Sequence, residues 1–388
     1  MAVALLILGI ILFIGLILIH EWGHFIAAKK GGVEVEEYSV FFPPKLYKRK
    51  TKGGWQFVIG ALPLGGYVKL KGEHDTDTAK GSYGAADLWT KTKIMGAGVF
   101  MNLVTAFLLL MVLAWLGMPK IMDNQFTGAS DTKVISRGQQ HVVLEEVTKN
   151  QPAAKAGLKR DDILQKIADT PVTDVKSLQQ ASKKYAGQTV TVTYERAKKQ
   201  QTVTATLNSV ESQQGKQQPT YLGVSISEVK QGADLRRSTW SAPIVAGGLI
   251  GQFTWATLQG LGHALQGLGS LIAGAVTGNT VARQHGQSEA AGQVSGPIGI
   301  VMVLNFVSHM NYQFMLLIIA LISLTLAIMN LLPIPALDGG RLWLTLISRG
   351  IFKKPLTQKV EENVNAAGFF ILIGLTIIIA FVDIKRFF

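Results

Sequence analysis

The chain has 388 residues, 48% of them hydrophobic and only 16% charged, with no cysteine and a formal net charge of +13. The lack of cysteine excludes disulfides, a thiolate zinc site and a cysteine nucleophile. The charge would suit nucleic acid, but no basic patch interleaved with aromatics accompanies it, so nucleic-acid binding is set aside.

The apolar residues gather in long runs, as membrane helices do, rather than spreading as a soluble core requires. Basic loops beside such runs account for the net charge, because they hold topology and touch anionic lipid. Residues 2–19 are all apolar. A cleavable signal peptide needs a basic start and a small-residue cleavage site. This run starts uncharged and ends in His-Glu, so it is read as a retained helix within residues 1–28.

Residues 29–93 form a charged loop with Lys29 and Lys30 at one end and Lys91 and Lys93 at the other. Basic ends place it on the cytoplasmic side, so the first helix runs from outside to inside. Within the loop, residues 53–72 read GGWQFVIGALPLGGYVKLKG, two strand-like runs around Pro63 and Gly65-Gly66. This predicts a β-hairpin whose apolar content brings it to the membrane. A second span follows over 94–117.

Residues 120–235 differ in composition: rich in Gln, Lys, Thr and Val, with alternating strands such as VTVTYER. An inserted α+β module outside the membrane is expected there. Residues 236–310 contain an odd apolar stretch at 241–278, glycine-rich, with Gln252, Gln259 and Gln266 seven residues apart on one helix face. It is read as a helix along the membrane surface. The third span lies in 311–340, a cytoplasmic-side segment in 341–365, and the fourth span in 366–383. The expected fold class is thus a multi-pass α-helical membrane protein of four spans with a membrane-associated hairpin and the inserted module.

The chemistry concentrates at HEWGH, the pattern H-E-x-x-H at His20, Glu21 and His24. Residues i and i+4 share a helix face. Two imidazoles there can grip one zinc ion, and the adjacent glutamate can activate water. A titratable group inside a spanning helix costs about 2.5–3.5 kcal/mol on insertion scales, so three within one turn point to function. The plainer role is a pair of histidines packed between helices.

A catalytic zinc takes three protein ligands and keeps one position open. The best third donor is Asp338 in NLLPIPALDGG, residues 330–340, where Pro333 and Pro335 interrupt the third span. Broken backbone at membrane depth survives only inside protein or beside a water-filled cavity. The alternative is that Asp338 only caps the helix that follows. Topology gives an independent check: the third span also runs outside to inside, so Asp338 reaches the same end as the histidines. A full crossing by 241–278 would put it on the wrong side.

Taken together, these segments resemble the site-2 proteases of bacteria, which release membrane-anchored regulators such as anti-sigma factors. The resemblance rests on H-E-x-x-H in the first span, LPLGGYVK after it, N-x-x-P-x-P-x-L-D-G-G in a late span and an inserted PDZ-like module, in that order. AGVFMN, residues 97–102, keeps the family's asparagine at Asn102 but lacks its proline, and SGPIGI, residues 295–300, matches the loop before the third span. The resemblance implies Zn2+ held by His20, His24 and Asp338, Glu21 as general base, and Asn330 holding the substrate backbone. Pro333, Gly65 and Gly66 are grouped with Asn330 as substrate-binding residues, on the idea that the hairpin offers an edge strand to an unwound substrate.

Residues 147–172 resemble a circularly permuted bacterial PDZ domain, with Arg160-Asp161-Asp162 in place of the usual Gly-Asp. Tyr221, Leu222, Gly223 and Val224 resemble its carboxylate-binding loop, so a peptide C-terminus is a possible ligand; a size filter is the other role. The implied activity is intramembrane cleavage of single-span proteins, remnant signal peptides included, in the bacterial cytoplasmic membrane, with lipid as the other partner. Two rivals from other classes are a transporter with a metal or proton relay and a non-catalytic PDZ scaffold. No inverted repeat supports the first, and an intact Glu21 argues against the second.

Overall fold

A computed structural model describes residues 2–128, 131–136, 139–196, 199–213, 220–231, 234–281 and 297–387. The chain divides into two compact units, Met1–Lys133 with Arg236–Phe388, and Val134–Leu235.

The first unit begins with helix α1 (Ala2–Lys30). Its uninterrupted Leu, Ile and Ala favour a helix in lipid, where every backbone group must be satisfied internally. Lys29 and Lys30 in the last turn complement the helix dipole, and Gly32, at φ +74°, takes the left-handed conformation that stops it.

Strands β1 (Val35–Lys50) and β2 (Gln56–Leu70) follow, reversing at residues 51–55, where the Thr51 N–H donates to Trp55 O. Here the expected hairpin is corrected. Residues around Pro63 and Gly65-Gly66 lie inside β2 rather than closing a turn between two paired strands. Tyr38 of β1 pairs with Val68 on one side and Phe57 on the other, and Ser39 pairs with Tyr67 and Val58. The two runs of 53–72 therefore both pair with residues 37–40, which the local turn signals could not reveal.

Helix α2 (Leu88–Leu116) starts six residues before the expected span. Asp87 caps it, accepting from the Thr90 N–H. Lys91 thereby enters the helix and is wholly buried, whereas the sequence places it in the loop.

The last part of the chain supplies α5 (Ala242–Thr277), α6 (Pro297–Ser308), α7 (Tyr312–Leu331), α8 (Asp338–Thr345), a π-helical turn Leu346–Ile351, and α9 (Gln358–Phe387); α3 and α4 belong to the second unit, below. Of the SGPIGI motif, residues 295 and 296 lie outside the described residues. Among the described residues, four helices are long and apolar enough to cross a membrane: Ala2–Lys30, Leu88–Leu116, Tyr312–Leu331 and Gln358–Ile377. They match the four expected spans. The start of α5 packs inward: Val245, Ala246, Leu249 and Phe253 share a core with Leu110 and Leu113 of α2 and Leu317 and Leu324 of α7. A second core joins Leu16 of α1, Leu304 of α6 and Met315 and Ile319 of α7.

The second unit is a six-stranded antiparallel sheet of β3 (Gln139–Val147), β4 (Ile163–Ile167), β5 (Thr170–Pro171), β6 (Thr189–Arg196), β7 (Lys199–Thr206) and β8 (Val224–Gln231). The order is β8-β3-β4-β6-β7, with β5 paired to β4. Short helix α3 (Pro152–Lys155) and α4 (Val175–Lys184) complete it. Leu144, Leu164, Ile167, Val192 and Leu222 form its core. The Arg160-Asp161-Asp162 departure has a visible result. Asp161 adopts φ +68°, a left-handed conformation that glycine would take freely and aspartate tolerates. The buried Asp162 carboxylate accepts from Arg196 Nε at 2.7 Å and the Lys159 N–H at 2.8 Å.

Candidate metal centre

The i, i+4 spacing puts His20 and His24 on one face of α1, where both are buried. Glycine at position 98 of α2 makes room for them: a Cβ there would sit 2.5 Å from both His20 Cε1 and His24 Nε2. No local signal in the sequence marks Gly98 for this purpose, because the crowding comes from another helix.

Asp338 arrives from the other end of the chain. After α7 the backbone runs irregularly through residues 332–337, with Ala336 at φ +70°. The break folds tightly on itself. A Cβ on Gly339 would meet Leu332 O at 2.2 Å, and one on Gly340 would meet Ile334 O at 2.3 Å. The Gly-Gly pair is therefore what lets α8 start under the break. Asp338 lies in the first turn of α8, whose N-cap is Leu337 with no side-chain cap bond. The carboxylate is turned to the imidazoles instead of capping the helix.

Three donor atoms converge. His20 Nε2 lies 2.9 Å and His24 Nε2 3.1 Å from Asp338 Oδ2, and the two imidazole nitrogens are 3.2 Å apart. Among the described residues this is the group of such donors able to hold a metal ion, all within 4.8 Å. The outer nitrogens are engaged as well. His24 Nδ1–H donates to Ile94 O at 2.7 Å, which leaves the Nε2 lone pair facing the cluster. His20 Nδ1 lies 3.2 Å from the Asn102 amide nitrogen, while Asn102 Oδ1 is buried without a partner. A half-turn of that amide brings Oδ1 round to accept from His20 Nδ1–H and frees His20 Nε2 for a metal. Two imidazoles and a carboxylate, with both outer nitrogens supported, are a donor set that fits zinc.

The donors open on a cavity of about 820 Å3. Glu21, Asn330, Gly65 and Gly66 line it, together with Asn102, Tyr67, Phe369 and Phe370. Gly66 lies against Glu21, since a Cβ on it would be 3.0 Å from Glu21 Cγ. Pro333 is exposed and is not among the lining residues. Tyr221, Leu222, Gly223 and Val224 belong to the second unit, where Leu222 is in the core and Gly223 takes φ +76°.

The sequence profile described as peptidase family M50 matches residues 8–375. The chain belongs to peptidase family M50. Zinc metalloprotease RasP of Shouchella clausii is 24% identical over 98% of each chain. A Clostridium perfringens protein named as a candidate zinc metalloprotease is 29% identical, again over 98% of each chain. A Nostoc protein with the same kind of name is 29% identical over 93% of this chain and 91% of its own. This M50 peptidase is a zinc metalloprotease of the site-2 type and a multi-pass membrane protein.

One group in this M50 peptidase escaped the sequence reading. Apart from the metal centre, a buried ionic cluster is built on the loop after β2. Lys91 Nζ of α2 donates to Asp75 Oδ1 and to Gly84 O. Arg349 Nε donates to both Asp75 oxygens at 2.9 Å, and the Leu356 N–H donates to Oδ2 at 2.8 Å. Arg341, one turn beyond Asp338 on α8, donates to Glu361 Oε1 at 3.1 Å and to Glu73 O. Burial works against the charge of Asp75, but the hydrogen bonds from Arg349 and Lys91 outweigh it and hold the carboxyl below the ordinary carboxylate range.

Proposed function

We propose that this M50 peptidase cleaves single-span membrane proteins within or near their transmembrane segments, as a step in regulated intramembrane proteolysis. The observation that carries the reading is the position of the donor set: His20, Glu21 and His24 belong to a helix apolar enough to span, and Asp338 to a break that meets them there. His20, His24 and Asp338 would hold the zinc. When bound, zinc supplies Lewis acidity that activates water near neutral pH and polarises a carbonyl. Glu21, on the wall of the same cavity, takes the proton from the attacking water and passes it to the leaving amine. Asn330, which lines the same cavity, donates to the substrate backbone.

A helical substrate hides its carbonyls in i to i−4 bonds and must unwind to be cut. Residues 66–70 of β2 pair with β1 on one side, and Gly65 to Val68 line the cavity. The strand edge there accepts the unwound segment as an added strand. The second unit acts as an extracytoplasmic PDZ-like module of an enzyme of the bacterial cytoplasmic membrane. In support, β8, which starts at Val224, is an edge strand of its sheet, with α4 packed near it as in a peptide groove.

The test is zinc stoichiometry and cleavage of a single-span substrate by wild type and Glu21→Gln. Loss of about 10²- to 10⁴-fold in rate with zinc retained is expected. Equal turnover by the variant would remove Glu21 from the mechanism. Cleavage of soluble peptides with no cleavage of membrane-embedded ones would overturn the substrate assignment.

A further inference from the structure

A second cavity, about 530 Å3, lies between α1 and α2 and shares no lining residue with the metal-centre cavity. Its two ends differ in chemistry. One is polar and basic, formed by Lys30, Gly31, Thr90 and Lys93, where the end of α1 meets the start of α2. The helices touch there, since a Cβ on Gly31 would be 2.6 Å from Thr90 Cγ2. The remaining wall is apolar and includes Ile26, Ala97, Phe100 and Met101.

The two lysines are available for a ligand. Among the described residues neither Lys30 nor Lys93 is ion-paired, whereas Lys45, Lys69, Lys71 and Lys91 each meet a carboxylate. The Lys93 ammonium lies 5.0 Å from the ring centroid of Trp89, a side chain 63% exposed at the same end of α2. Exposed tryptophan beside lysine at the end of a spanning helix marks the headgroup level of a bilayer. From Thr90 to Met101 the groove follows α2 for about 16 Å at 1.5 Å per residue, close to half of a hydrocarbon core about 30 Å thick.

We propose that this groove binds one anionic glycerophospholipid of the leaflet on the Lys30–Lys93 side. Its phosphate sits between the two ammonium groups. One acyl chain runs along Ile26, Ala97 and Met101. Uncharged lipid fits the apolar wall but leaves both ammonium groups unmatched, so the basic end selects for charge.

Native mass spectrometry of the full chain in detergent, titrated with dioleoylphosphatidylglycerol or dioleoylphosphatidylcholine, tests this directly. One phosphatidylglycerol retained per chain, in preference to phosphatidylcholine, is expected. In Lys30→Gln/Lys93→Gln the affinity for phosphatidylglycerol should drop about thirtyfold, the effect of removing two lysines at an anionic headgroup. Lys29→Gln serves as the neighbouring control, because Lys29 faces the Phe25 and Trp55 rings instead. Equal retention of the two lipids by wild type overturns the proposal, as does a preference that survives the double substitution. A loss as large in Lys29→Gln would mean a diffuse surface field rather than a site and overturns it as well. None of these readouts depends on peptidase activity, so the lipid site and the cleavage reading stand or fall separately.

Discussion

Two clusters of ionisable groups are buried in the first unit, and they are built on opposite plans. In the metal centre, three donors turn their metal-facing atoms on one place: His20, His24 and the Asp338 carboxylate. In the ionic cluster, every charge is answered by an opposite charge or a backbone group: Lys91 and Arg349 by Asp75, Arg341 by Glu361. The first arrangement wants an ion, while the second wants nothing more. Open coordination is the price of chemistry, and the closed cluster holds α2, α8 and the π-helical turn in the positions that keep the opening aimed.

Removing one charge should break the closed cluster and spare the open one. Lys91→Met leaves the buried Asp75 carboxylate with Arg349 as its one cation beside the Leu356 N–H and is expected to lower stability by about 3 kcal/mol, measured by denaturation in detergent, with zinc stoichiometry unchanged. The pH dependence carries a definite sign. A carboxyl depressed on folding contributes stability that is full above its unfolded value, about 3.9, and fades as the pH falls through the folded one. The stability gap between wild type and Asp75→Asn should therefore be constant near neutrality and shrink below about pH 4. A gap that widens in acid would contradict the assignment.

The open cluster should respond in the converse way. Asn102→Ala removes the amide beside His20 and should weaken zinc binding about 10- to 100-fold, read by competition with a chelator, at little cost in stability. The smallest effect concerns the frame. Asp87→Ala uncaps α2 and should lower stability slightly without altering zinc affinity. A marked loss of metal in Asp87→Ala would mean that the first turn of α2, Lys91 included, sets the ligand geometry more directly than the separate clusters imply.

The difference between the clusters also explains what could be read in the sequence. The four spans and the His20–Glu21–His24 triplet are legible because periodicity and insertion cost act within one segment. Asp338 is legible because prolines and glycines announce a broken helix, and topology brings that break to the right end. Lys91 is misread as loop because a lysine ordinarily bounds a span, and its partner Asp75 is held in turn by Arg349, 258 residues beyond Lys91. The ribbon of β1 and β2 is misread for the same reason: Pro63 and Gly65-Gly66 look like a turn, and only residues 37–40, wedged between the two runs, decide otherwise.

The distance between the donors along the chain has a consequence for biosynthesis. His24 and Asp338 are separated by 314 positions. A nascent polypeptide still being inserted thus carries the helix with the glutamate but lacks the third metal donor. With that donor set, a complete metal site would form only once the C-terminal region has joined the first helix.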